Sequence, residues 1–129
     1  MAGGSVALSE GTFNIAASVT LKNYLAMRGA GSGTTILKLA NAANTHILTS
    51  AGGAAQLIYV ELENFEINGN KANQTTGGDG IYILPTTNAN GNNNIHLRNV
   101  KVLSCYRHGI NIEDINSLRI FGGTTYQNG

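Results

Sequence analysis

The chain has no tryptophan, one proline (Pro85), one cysteine (Cys105) and few charges, and each shortage removes a class of fold or partner. A lone thiol forms no intrachain disulfide, so the core must come from burial, and Cys105 itself reads as a buried, inert thiol. The 8 basic and 7 acidic residues are scattered, leaving no basic stripe to neutralise successive phosphates, which argues against a nucleic-acid partner. No run approaches the roughly 18 consecutive apolar residues of a membrane span. The opening Met-Ala-Gly-Gly lacks the charged and apolar regions of a secretion signal. Strong helix formers are scarce as well.

In their place stand 17 glycines, 17 asparagines and 12 threonines among 129 residues. Glycine and asparagine tolerate left-handed corners, and that composition predicts many short strands joined by tight turns. The length fits a single domain over 1–129.

The chain also repeats itself. An offset of 35 lays Val60-Glu61-Leu62-Glu63-Asn64-Phe65-Glu66-Ile67 on Ile95-His96-Leu97-Arg98-Asn99-Val100-Lys101-Val102, with apolar on apolar and Asn on Asn. A further offset of 18 carries Asn99–Val102 onto Ser117–Ile120, and a backward offset of 40 carries Asn64–Gly69 onto Tyr24–Gly29. A second column follows: Asp79-Gly80-Ile81-Tyr82-Ile83 matches His108-Gly109-Ile110-Asn111-Ile112, and Asn128-Gly129 begins the same unit. Alternating strands that match like on like suit coils stacked as parallel strands about 4.8 Å apart, with loops such as 70–78 and 85–94 absorbing the variable spacing at one corner. The expectation is an all-β, single-stranded parallel β-helix of about five coils. Asn64, Asn99 and Ser117 form its predicted polar ladder, bonding along the axis.

Val6-Ala7-Leu8-Ser9-Glu10-Gly11-Thr12-Phe13-Asn14-Ile15, followed by Leu25-Ala26-Met27-Arg28-Gly29-Ala30-Gly31, resembles the opening coils of the pectate-lyase superfamily, and later segments are similar to its internal coils. The resemblance implies the right-handed parallel β-helix shared by lyases, hydrolases and phage tailspikes, and an extracellular or virion-surface location. Such proteins usually begin with a capping helix, whereas here the first strand starts five residues in and Gly129 falls where another strand should begin. Uncapped ends, and a segment of a longer β-helix, are therefore expected.

Candidate chemistry concentrates at the start of the second column. Asp79 and His108, one coil apart with Arg107 and Asn128 beside them, pair an acid with the imidazole it could orient, next to a cation able to meet a uronic acid. Each of Asp79, His108 and Asn128 also precedes glycine at a corner that favours small polar residues. The hydrolase motif Gly-His-Gly is incomplete at Arg107-His108-Gly109. Glu61 and Glu63, paired across strands with His96 and Arg98, read as solvated ladders, as does Glu66 with Lys101. Glu113 and Asp114 with Asp79 offer too few oxygens for calcium, and His46, His96 and His108 are too dispersed for zinc, so no metal or cofactor is expected. Gly29–Gly33 lacks the Lys-Ser/Thr of a phosphate loop.

Three functions follow. The first is a structural or carbohydrate-recognising β-helix segment, not catalytic alone, with a polysaccharide as its partner. The second is a polysaccharide lyase or glycoside hydrolase using Asp79, Arg107 and His108. The third is a self-assembling subunit, stacking end to end into filaments or packing as a trimer, because open coil ends expose unpaired strand edges.

Overall fold

In the computed structural model, which describes residues 3–129, short strands pair in parallel throughout and wind into a right-handed parallel β-helix. Twelve strands run in chain order: β1 (Gly4–Ala7), β2 (Gly11–Ile15), β3 (Val19–Thr20), β4 (Leu25–Arg28), β5 (Thr35–Leu39), β6 (Leu48–Thr49), β7 (Ile58–Asn68), β8 (Ile81–Ile83), β9 (Asn93–Leu103), β10 (Ile110–Ile112), β11 (Leu118–Phe121) and β12 (Thr124–Tyr126). Each coil has three faces, one more than the two columns that the repeats reveal. Face A stacks β1, β4, the first half of β7, the first half of β9, and β11. Face B stacks β2, β5, the second halves of β7 and β9, and β12. Face C stacks β3, β6, β8 and β10.

Alternation along each strand sends one set of side chains into the coil. On face C, Val19, Leu48, Ile81 and Ile110 lie in register one above another. On face A, Met27, Leu62, Leu97 and Ile120 do the same, and on face B, Leu37, Ile67 and Val102. Phe65, wholly buried, is the largest side chain of this core. Cys105 is buried in the same cluster, and burial pushes its thiol up to about 12, which keeps it inert.

The long strands β7 and β9 bend where Asn64 and Asn99 adopt left-handed backbone, φ 59° and 50°. Asn99 Nδ2 donates to Asn64 Oδ1 at 3.0 Å. Ser117 does not continue this ladder: Leu118 pairs with Ile95, a step of 23 rather than 18, so Ser117 falls level with Asn94. The residue level with Asn99 is Gly122, at φ 62°, which turns the corner with no side chain to stack. The same kind of shift corrects the first coil. Met27 pairs with Leu62, a step of 35 instead of 40, so Gly29 rather than Tyr24 lies under Asn64. Both slips have one cause: the two halves of a bent strand alternate alike, and a pattern match cannot tell one half from the other. The loops 69–80 and 84–92 also lie at two different corners, one before face C and one after it.

A further corner, before face A, stacks Gly3, Tyr24, Tyr59 and Asn94, all at positive φ. Asparagine and glycine suit that backbone, but tyrosine there costs about 1–3 kcal/mol. The Tyr24 and Tyr59 rings stack at 5.5 Å and 13°, while 40% and 55% of the two residues stay exposed. Such a stack is worth about 0.5–1.5 kcal/mol, which at best offsets the strain of one of the two residues. Stability does not explain these tyrosines.

Among the described residues, no helix is long and apolar enough to cross a membrane.

Candidate functional site

Asp79 ends the loop that leads into β8, and its carboxylate is fully buried. The loop brings it there through Gly77 and Gly78. A side chain at Gly78 would collide with the Thr45 carbonyl, so only glycine lets the two coils approach this closely. From the coil on one side comes His46; from the coil on the other come Arg107 and His108.

Asp79 Oδ1 accepts the His108 backbone N–H at 2.9 Å and lies 3.1 Å from His108 Nδ1. A carboxylate only accepts, so Nδ1 carries the proton and Nε2 is left as a lone-pair base on a ring that is about half exposed. Arg107 Nε stands 3.9 Å from the same oxygen, an ion pair too long to be a good hydrogen bond. The stem of Arg107 lies against Gly77, where a Cβ would sit 2.4 Å from Arg107 Cγ.

His46 faces the other oxygen at 3.6 Å, but its Nδ1 already accepts the Asp79 backbone N–H at 3.0 Å. With its one lone pair engaged there, the neutral Nδ1 has no proton to give to Oδ2, and no ion pair forms. Burial pushes the His46 pKa down, Asp79 opposes that and Arg107 adds to it, with the net shift downward. Asp79 Oδ2 is left buried without a hydrogen-bond partner.

The cluster extends along face C. The His46 ring packs against Tyr82, centroids 4.7 Å apart, and Tyr82 Oη donates to Glu113 Oε1 at 2.8 Å. That hydrogen bond, reinforced by burial and by the Glu113 and Asp79 charges, raises the Tyr82 pKa and keeps its hydroxyl protonated. Tyr82 also belongs to an outward column, Thr20, Thr49, Tyr82 and Asn111, each residue able to hydrogen-bond and none charged.

Asp79, Arg107 and His108 are thus brought together as expected from the repeats. Asn128 is not: its Oδ1 accepts the Cys105 N–H at 2.9 Å, since the step of 23 sets it level with Cys105 and not with His108. Glu113 and Asp114 diverge, the first toward Tyr82 and the second accepting the Thr86 N–H at 3.1 Å. Among the described residues no three His, Cys, Asp or Glu side chains gather as a metal set. Glu61 and Glu63 both reach Arg28, at 3.3 and 3.0 Å, rather than His96 and Arg98, whereas Glu66 does pair with Lys101 at 3.0 Å.

His46, Tyr82 and Glu113 complete the cluster without having been singled out for it. His46 occupies the corner position of Asp79 one coil earlier, as Leu48 pairs with Ile81. Ile47 stands where the next two coils have Gly80 and Gly109, so the signature that marks the column is missing there.

The lowered His46 pKa has a measurable consequence. Above about pH 6.5, the ordinary value, the residue is neutral in both folded and unfolded chains. Below it the unfolded chain takes up a proton that the folded chain resists, so unfolding free energy falls with pH through the window from 6.5 down to the depressed folded value. Urea midpoints measured between pH 5 and 8 should show this slope, and His46→Asn should remove it.

A search with protein-family models and a search of curated proteins both return no match. Among solved structures, the A-module of mannuronan C-5 epimerase AlgE4 from Azotobacter vinelandii superposes with a TM-score of 0.84 and 21% identity, over 98% of this chain and 37% of that one. The AlgE6 A-module of the same organism gives 0.69 and 20%, over 97% of this chain and 32% of that one. The chain therefore spans about a third of the length of the structures it matches, and the likeness shows the β-helix fold.

Proposed function

We propose that the chain is a carbohydrate-recognising β-helix segment that lays a polysaccharide along face C, across the strip over Asp79. The observation that carries this reading is the buried, partly unpartnered Asp79 carboxylate that holds two half-exposed side chains, Arg107 and His108, at the edge of an uncharged polar column. Burying a carboxylate with one oxygen unsatisfied costs stability, and proteins carry such costs where they position groups for a ligand. Successive coils repeat every ~4.8 Å, close to the length of one sugar unit, so Thr49, Tyr82 and Asn111 offer a hydroxyl or amide to consecutive units.

The two structures reported above are named for work on mannuronan, a polyuronate, and Arg107 is the guanidinium on this strip placed to meet a sugar carboxylate. An oligomannuronate titrated by calorimetry should bind with salt-sensitive affinity. Arg107→Ala should weaken it tenfold or more, from the ~1.5–3 kcal/mol of a charged hydrogen bond. Wild-type affinity in that variant would refute the assignment.

A catalytic reading, lyase or hydrolase, is favoured by one feature: His108 Nδ1 held by Asp79, which leaves Nε2 free to take a proton. Release of unsaturated products or reducing ends from polyuronates separates it from recognition alone. Exposed Leu118, Ile120 and Phe121 on β11 support stacking on a further coil, whether of a longer β-helix or of a second copy. An extracellular or virion-surface setting accords with either.

A further inference from the structure

We infer a second carbohydrate subsite, for a neutral pyranose, on face A at the stacked pair Tyr24 and Tyr59. These two rings line a shallow pocket with Ala26, Glu61, Asn94 and His96, on a different face from Asp79. Three observations support it. The tyrosines occupy left-handed positions that glycine and asparagine fill elsewhere in the same column, and their mutual stacking does not repay that backbone, so the pair is held for something other than the coil. Ala26 is the smallest outward residue of its own column, below Glu61 and His96, and leaves room beside the rings.

The third observation is the chemistry around that room. An aromatic face, an amide that both donates and accepts, an imidazole and a carboxylate acceptor are the partners a hydroxyl-rich ring needs. Charge selects among sugars. Glu61 is the acidic side chain of the lining, and its carboxylate at the rim disfavours the second carboxylate that a uronate would bring. The occupant is therefore a neutral pyranose unit, in contrast to the acidic one assigned to the Arg107 strip.

The test is calorimetric titration of the wild-type chain, Tyr24→Asn and Tyr59→Asn with maltohexaose, cellohexaose and xylohexaose. Asparagine is the residue this column itself uses at position 94, so both variants should fold, with a thermal midpoint equal to or above the wild type. The expected result is binding of at least one neutral hexasaccharide, weakened about tenfold or more in both variants. Absence of neutral binding, or neutral binding untouched in both variants, overturns the subsite. So does a wild-type dimer in sedimentation that Tyr59→Asn dissolves without any sugar binding, since a second copy would then be the occupant.

Discussion

Phe65→Ala should cost about 3–5 kcal/mol, the range for emptying a fully buried aromatic site. A domain of this kind has only about 5–15 kcal/mol to lose. Phe65 lies at the bend of β7, just after the left-handed Asn64, level with Val100 in the next coil. A solenoid makes the loss acute, because each coil is held chiefly by its neighbours and this one is central. Urea unfolding followed by circular dichroism should show a midpoint reduced to a fraction of the wild-type value, or no folded chain at all. A shift under 1 kcal/mol would mean that the ring is not inside the coil.

Asp79 should separate two replacements that differ by a few atoms. Asp79→Ala leaves the His108 N–H without its 2.9 Å acceptor and opens a gap between coils, costing about 1–3 kcal/mol. Asp79→Asn keeps an oxygen for that N–H and puts a neutral amide where the charged Oδ2 has no partner. A buried, poorly satisfied charge costs more than a buried neutral amide, so Asp79→Asn should match or exceed wild-type stability by about 1 kcal/mol. Equal losses in the two variants would show that the carboxylate's charge stabilises the fold, and the case for its being held at a cost for binding would fail.

Much of the architecture was legible in the residues. Apolar alternation with Asn on Asn at an offset of 35 identifies β7 and β9 as neighbours, and the structure pairs them in that register. The Asp79 and His108 segments were likewise matched correctly, as Ile81 pairs with Ile110. The pattern failed where it is degenerate. A strand that bends at Asn64 presents the same alternation before and after the bend, so Tyr24–Gly29 and Ser117–Ile120 were each set against the wrong half. The third face was hidden because β7 and β9 run unbroken through their bends, so faces A and B read as one strand. Gly122 hid the last corner by doing without a side chain what Asn99 does with one.

The cluster was legible only in part for a related reason. Asp79 and His108 announce their corner by the glycine that follows each, and His46 is followed by isoleucine. Nothing local marks Tyr82 as the link between His46 and Glu113, because those contacts run between coils. The ion pairs show the same limit: opposite charges were read correctly as a ladder, but Glu61 and Glu63 turn to Arg28 one coil below, while Arg98 lies over the Phe121 ring at 5.5 Å.

The account turns on which face meets the polysaccharide, and amide chemical-shift mapping reads that directly. Titration of the isotope-labelled chain with an oligomannuronate should move the amides of Asp79, Tyr82, His108 and Glu113 together, and leave the outward positions Ile36, Glu66 and Lys101 of face B in place. Shifts confined to face B, or none at saturating sugar, would contradict it.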